Sequence, residues 1–140
     1  MKKAACVLLI RSSDGKLLAA SRRDEHDNIG LPGGKIDKGE CPKTAATREF
    51  YEETGIHVTP NDLTKVYIRP CVGETDYETT TFLCFTETSS IDYEINTEPY
   101  ECEKGIWIRW VAWDELLAPK NAFAKYNAGL YEHVRPMLQQ

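Results

Sequence analysis

The 140-residue chain contains no Cys-x-x-Cys pair and no His-x-x-x-His spacing, so it lacks the usual patterns of a zinc site. His26, His57 and His133 are scattered, and the cysteines form an odd set of five: Cys6, Cys41, Cys71, Cys84 and Cys102. Three of these lie in apolar or strand-like runs, and no local basic partner marks any of them as a nucleophile. Reduced thiols in a reducing cytoplasm are therefore expected. No apolar run approaches the ~20 residues a membrane helix needs. The longest covers residues 4–10, and no small-residue cleavage site follows it, so the expectation is an untargeted, soluble protein with no membrane partner. Positive charge is also in deficit. The formal net charge of −5 argues against a general nucleic-acid binder, although a phosphorylated small molecule can still bind an acidic protein through a cation. Repeats, linkers and low-complexity tracts are missing too. The chain reads as one domain over residues 1–140, long enough for a core without disulfide or metal staples.

What remains is an ordinary globular composition, 41% apolar and 28% charged. Residues 4–10 and 17–20 are short apolar runs flanking Ser13-Asp14-Gly15-Lys16, which is turn chemistry, and together they predict a hairpin. Residues 22–29 are polar and read as irregular. Leu31-Pro32-Gly33-Gly34 excludes regular helix and predicts a shaped loop. From Pro42 the composition becomes helix-forming, with Gly55 placed for a left-handed cap, predicting a helix over residues 42–54. Residues 63–69, 79–87 and 107–111 alternate as strands, and residues 123–138 predict a closing helix. This order implies an α/β fold, a mixed sheet with helices on its faces.

Within the first helix, Glu49, Glu52 and Glu53 are spaced three and four apart and share one face. Like charges at that spacing cost roughly 0.2–0.5 kcal/mol per pair and raise one another's pKa. A divalent cation removes the conflict. In a chain with 22 acidic residues such a face can also be a solvated stripe, so the surrounding spacing has to decide. Five residues separate Gly34 from Glu40, and seven separate Glu40 from Arg48; then follow Glu49, Phe50, Tyr51, Glu52, Glu53, Thr54, Gly55 and Ile56. That pattern resembles the Nudix box. Its one departure is Phe50, where the family usually carries an aliphatic side chain.

The resemblance implies a Nudix fold, an α/β/α sandwich around a mixed β-sheet, with the box forming loop, helix and loop. It also implies that Glu49, Glu52 and Glu53 hold Mg²⁺, with Mn²⁺ as an alternative, and that the Gly33 carbonyl adds an oxygen. All-oxygen donors suit such hard cations. Gly34, Glu40 and Gly55 support the box, and Arg48 holds the carboxylates in one arrangement. The proton acceptor is Glu49 or Glu53 within the box, or a later glutamate among Glu98, Glu101 and Glu103, of which Glu103 is favoured because it sits just before a strand. Arg23 and Lys35 are placed to bind phosphates. The chain start and the box resemble the MutT-like branch, which implies nucleoside triphosphates as substrates, oxidised purines such as 8-oxo-dGTP included, with release of monophosphate and pyrophosphate. Asn121, after the last strand, resembles that branch's base-reading asparagine, and Asn28 could also face the base. Two other readings stay open: an ADP-ribose or other nucleoside diphosphate-linked pyrophosphatase, to which Pro70 points weakly, and a nucleotide-binding module without turnover. Monomer and homodimer are equally compatible with the sequence.

Overall fold

A computed structural model describes residues 2–86 and 99–138. In chain order the strands are β1 (Lys2–Ile10), β2 (Leu17–Arg22), β3 (Glu25–Gly30), β4 (Gly33–Lys35), β5 (Thr64–Pro70), β6 (Tyr77–Phe85), β7 (Tyr100–Glu101) and β8 (Trp107–Val111). The helices are α1 (Pro42–Thr54), α2 (Trp113–Leu116) and α3 (Ala124–Leu138). The strands form one mixed sheet in the order β5-β6-β1-β2-β8-β7, with β3 added to β2 and β4 to β1.

β1 organises the sheet. It runs parallel to β6 from Lys2↔Tyr77 to Ile10↔Phe85, and it is buried on both faces, as expected of a central strand. Ala5, Val7 and Leu9 point to one face and pack with Ala45, Ala46 and Phe50 of α1. Leu8 and Ile10 point to the other and pack with Leu116, Leu130 and Val134 of α2 and α3. Two helical layers therefore cover opposite faces, which is the expected α/β/α sandwich. Phe50 is fully buried, so the one departure from the box fills a core position. Burying a side chain of that size contributes about 1.5–3 kcal/mol.

Several sequence expectations are corrected. β1 and β2 meet only at Ile10↔Leu17 rather than along a hairpin; beyond that pair the strands part, and β4 occupies the gap beside Ala4, Ala5 and Cys6. Residues 22–29 are not irregular: most of them belong to β3, whose exposed, polar residues hide the alternation by which a strand is recognised. Gly33 and Gly34, expected in a loop, are paired in β4. β6 begins two residues earlier than expected, and the single turn of α2 is too short to leave a periodic signal. α1 occupies residues 42–54 as expected and ends on Gly55 in the left-handed region at φ 75°, whose N–H donates to the Tyr51 carbonyl. The parting of β1 and β2 admits β4 beside β1 within the sheet, and the candidate site lies where β4 meets α1.

Candidate catalytic site

The two glycines of β4 let the chain pass where no side chain fits. A Cβ on Gly33 would sit 2.3 Å from the Ala5 carbonyl oxygen, and one on Gly34 would sit 2.4 Å from the Glu49 carboxylate. The absence of those atoms allows α1 to press its acidic face against β4. Glu53 reaches across and accepts the Gly33 N–H at 2.7 Å. The box is thus assembled by close packing between β4 and the C-terminal half of α1.

Arg48 is the hub. Its guanidinium donates to Glu40 through Nε and Nη2, both at 2.9 Å, to Glu49 at 2.9 Å and Glu52 at 3.2 Å through Nη1, and to the Lys35 carbonyl at 3.1 Å. Paired with Arg48, and accepting the Asp37 N–H as well, Glu40 is held down at about 2. Its place is structural: it anchors the loop before α1 to the arginine. The pairing of Arg48 with two box glutamates fits the ordering role expected of it.

Burial pushes Glu53 up to about 7, against the Gly33 hydrogen bond and with help from the nearby charges of Glu103, Glu49 and Glu52. Burial also raises Glu49, with Arg48 opposing. Two half-buried carboxylates side by side, incompletely neutralised, favour a cation. Among the described residues no three carboxylate, imidazole or thiol side chains converge tightly enough to cage an ion as they stand. The donor chemistry nevertheless fits a hard divalent metal: the carboxylates of Glu49 and Glu53 lie against the backbone of β4, and Glu52 is on the adjacent turn on the exposed side, so the donors offered are oxygens.

Glu103 is brought close to Glu53, as the electrostatic coupling between them shows, while Glu101 is exposed on β7. Glu98 lies outside the described residues. Arg23 does reach this region, but it is engaged: it pairs with Glu103 at 3.1 Å and donates to the Lys104 carbonyl. Arg22, which the sequence places beside Arg23 as a cation near the glycine-rich segment though Arg23 and Lys35 are preferred there, lines the same cleft. Lys35 lines a neighbouring opening with Ala4 and Gly34.

Two clefts meet at Gly33. One is polar, lined by Arg22, Arg23, Asn28, Gly33 and Glu53. The other, of about 140 Å³, is mostly apolar, lined by Ala4, Cys6, Leu31, Cys71, Phe123 and Asn127 among others. Leu31, Gly33 and Phe123 belong to both walls.

Asn121, expected to face a base, is engaged with the backbone in this structure. It is 4% exposed, its Oδ1 accepts the Ile29 N–H at 3.0 Å, and its Nδ2 donates to the carbonyls of Glu115 and Leu116. Its amide stitches β3 to the end of α2, with both of its N–H groups committed. Asn121→Ala is expected to cost about 2–4 kcal/mol in urea unfolding, because several buried backbone groups lose their partner, while base preference stays unchanged. A variant with altered base preference at wild-type stability would restore the recognition role. Asn28 is half committed: its Oδ1 accepts the Ala122 N–H at 3.0 Å and its Nδ2 donates to Glu25 at 3.3 Å, yet it still borders the polar cleft. Asn127 and Phe123 were not singled out, because inside a helix-forming stretch they carry no local signal that they line a cavity.

With this geometry in view, the relationships of the chain are informative. A family model for the NUDIX domain matches residues 1–133. A MutT-like protein of Streptomyces ambofaciens is 48% identical over 54 residues, covering 39% of this chain and 34% of that protein. The CTP pyrophosphohydrolase of Escherichia coli (strain K12) is 36% identical over 76 residues, covering 52% of this chain and 56% of that protein. The matched stretches thus span about a third to just over half of these relatives' lengths. The MutT NUDIX hydrolase from Burkholderia pseudomallei superposes with a TM-score of 0.68 over 95% of this chain and 97% of its own, at 23% identity, which speaks for the fold. The match across nearly the whole chain, together with the box glutamates gathered around Arg48 and against β4, makes this chain a member of the Nudix family.

Proposed function

We propose that the chain is a Mg²⁺-dependent pyrophosphohydrolase of nucleoside triphosphates, releasing a nucleoside monophosphate and pyrophosphate. The observation that carries this reading is the junction at Gly33, where an apolar cleft meets a second one holding Glu53 and two arginines. A base in the first cleft puts the phosphates beside the acidic face of α1. Nudix hydrolases generally use divalent metal ions, and here Glu49, Glu52, Glu53 and the Gly33 carbonyl are the residues to hold one. Bound there, the ion would neutralise charge on the anhydride oxygens and acidify water near them.

The chain's own groups supply the rest. Water attacks one phosphorus of the anhydride between the α and β phosphates, and the bond from that phosphorus to the bridging oxygen breaks. The two products separate as nucleoside monophosphate and pyrophosphate, the leaving one carrying the bridging oxygen and its charge. A carboxylate accepts the proton from the attacking water. Glu53, which reaches across to β4 at the junction of the two clefts, is one candidate for that task, and Glu103, whose charge bears on Glu53, is the second. Arg48 keeps Glu49 and Glu52 oriented, and Arg22 and Arg23 border the phosphate path. The branch resemblance and relatives named as 8-oxo-dGTP diphosphatases favour purine triphosphates, oxidised forms such as 8-oxo-dGTP among them, whereas the CTP relative keeps pyrimidines under test.

A panel of dNTPs, 8-oxo-dGTP, CTP, ADP-ribose and dinucleoside polyphosphates with Mg²⁺, scored by product, tests the reading. Pyrophosphate plus monophosphate from triphosphates is expected. Cleavage of ADP-ribose alone would replace this proposal with the diphosphate-linked reading, and binding of nucleotides without turnover of any of them would point to the non-catalytic module.

A further inference from the structure

Two segments distant in sequence face each other across the apolar cleft. Cys71, just after β5, and Thr79 of β6 supply one side; Phe123, Tyr126 and Asn127, at the start of α3, supply the other. The neighbouring opening beside Lys35 is walled by the same two segments, through Thr75, Tyr77 and Phe123. Whatever fixes the distance between these segments therefore sets the width of both openings.

They are joined at two depths. In the interior, the Tyr126 hydroxyl donates to the Thr79 carbonyl at 3.1 Å and lies 2.7 Å from the Thr81 hydroxyl. Toward solvent, Glu74, in the turn between β5 and β6, accepts the N–H groups of Lys125 and Tyr126 at 2.9 and 3.1 Å. Those donors belong to the first turn of α3, where no carbonyl of the same helix can serve them and where the positive end of the helix favours a carboxylate. Helices usually take such a cap from the residues just before them, but here it comes from a turn 51 residues away.

The turn is also bonded to itself. The Cys71 carbonyl accepts the N–H groups of Glu74 and Thr75, both at 3.0 Å, and the Cys71 N–H donates to the Tyr77 carbonyl at 3.0 Å. Cys71 is thus tied to Glu74, and releasing Glu74 from α3 frees the wall that Cys71 forms. Such a release has a use. The cleft measures about 140 Å³, well under the roughly 300–1,000 Å³ of usual ligand pockets, so a bulky group enters only when a wall gives way.

We propose that Glu74 is a positioning residue, a latch between the β5–β6 turn and the start of α3 that opens to admit a nucleotide base to the apolar cleft and recloses to hold it. The base rests on the nucleotide-hydrolase reading; the latch does not.

Timed alkylation with iodoacetamide, followed residue by residue by mass spectrometry, tests the latch. Cys71 is 3% exposed and lies on the wall the latch controls, whereas Cys84, 2% exposed, lies in the core under α1 and reports wider unfolding. Glu74→Ala is expected to speed labelling of Cys71 by about tenfold or more while Cys84 keeps its wild-type rate, because losing two charge-assisted hydrogen bonds raises the population of the locally open form. In parallel, KM for the preferred triphosphate should rise about tenfold with kcat little changed, since loosened walls retain the nucleotide less well. Equal acceleration at Cys71 and Cys84 would mean that Glu74 only stabilises the fold, and unchanged labelling of Cys71 would mean that the contact restrains nothing. Either result overturns the proposal, as does a fall in kcat at constant KM. If Glu74→Ala fails to fold, Glu74→Gln carries the same test, because its amide keeps one acceptor and sets a donor against the second N–H. If no triphosphate is hydrolysed, the functional reading fails, while the ratio of Cys71 to Cys84 labelling still decides the latch.

Discussion

Glu53→Gln is expected to lower kcat by about 10²–10⁴-fold with little change in KM, because the group lost is one that acts on the transition state. The substitution is chosen for what it preserves. Glutamine keeps an oxygen to accept the Gly33 N–H now bonded to Glu53 Oε1 at 2.7 Å, so β4 and α1 should stay in place. It removes the negative charge and the site for a proton, which are the two properties proposed to matter. Steady-state kinetics on the preferred triphosphate, with circular dichroism to confirm the fold, makes the measurement. Hydrolysis undiminished by Glu53→Gln would end the assignment of Glu53 to the metal and to the chemistry. Glu103→Gln separates the two candidate proton acceptors. A loss at Glu103 larger than at Glu53, together with a flattened acidic limb of the pH–rate profile, would make Glu103 the acceptor and leave Glu53 as a ligand.

The α1 segment was legible because its constraints are local. Helix-forming residues after Pro42, the left-handed Gly55 and the spacing of the glutamates all act within a few turns, and the helix spans the residues they indicate. Arg48 was legible as an orderer for the same reason, being one turn from Glu52. β3 and β4 were not, since what makes residues 25–30 and 33–35 strands is the edge of β2 and β1 offered to them, not any alternation of their own. Asn121 shows the limit most sharply. Its chemistry as an amide suited base recognition, but the three backbone groups that consume it come from segments distant or near that only the fold brings together. Glu74 is the converse: unremarkable in sequence, it becomes notable because the fold sets its carboxylate on the N–H groups of Lys125 and Tyr126.

The metal-free protein is expected to grow less stable as pH rises from about 4.5 to 7. Glu53 titrates near 7 in the folded chain against 4.5 for an ordinary glutamate, so between those values the folded state binds more protons than the unfolded one. Stability then falls with increasing pH. The contribution is fully present below about 4.5 and is lost as pH passes through 7; a shift of that size corresponds to roughly 3 kcal/mol at most, a large share of a typical domain's 5–15 kcal/mol. Glu49, raised by its own burial, adds to the same slope. Glu40 acts in the opposite sense but in a lower window, since its contribution is lost only as pH falls toward 2, so it does not mask the effect. Urea unfolding in EDTA at pH 5, 6 and 7.5 measures the slope. Glu53→Gln should flatten it and should be more stable than wild type at pH 7.5, while being the less active enzyme. Added Mg²⁺ should restore wild-type stability at pH 7.5 and do much less for Glu53→Gln, because stabilisation by a ligand scales with its affinity for the folded state. A wild-type slope that persists unchanged in Glu53→Gln would mean that the strain is not stored at this carboxylate, and the argument that α1 tolerates its acidic face for the sake of a cation would lose its energetic basis.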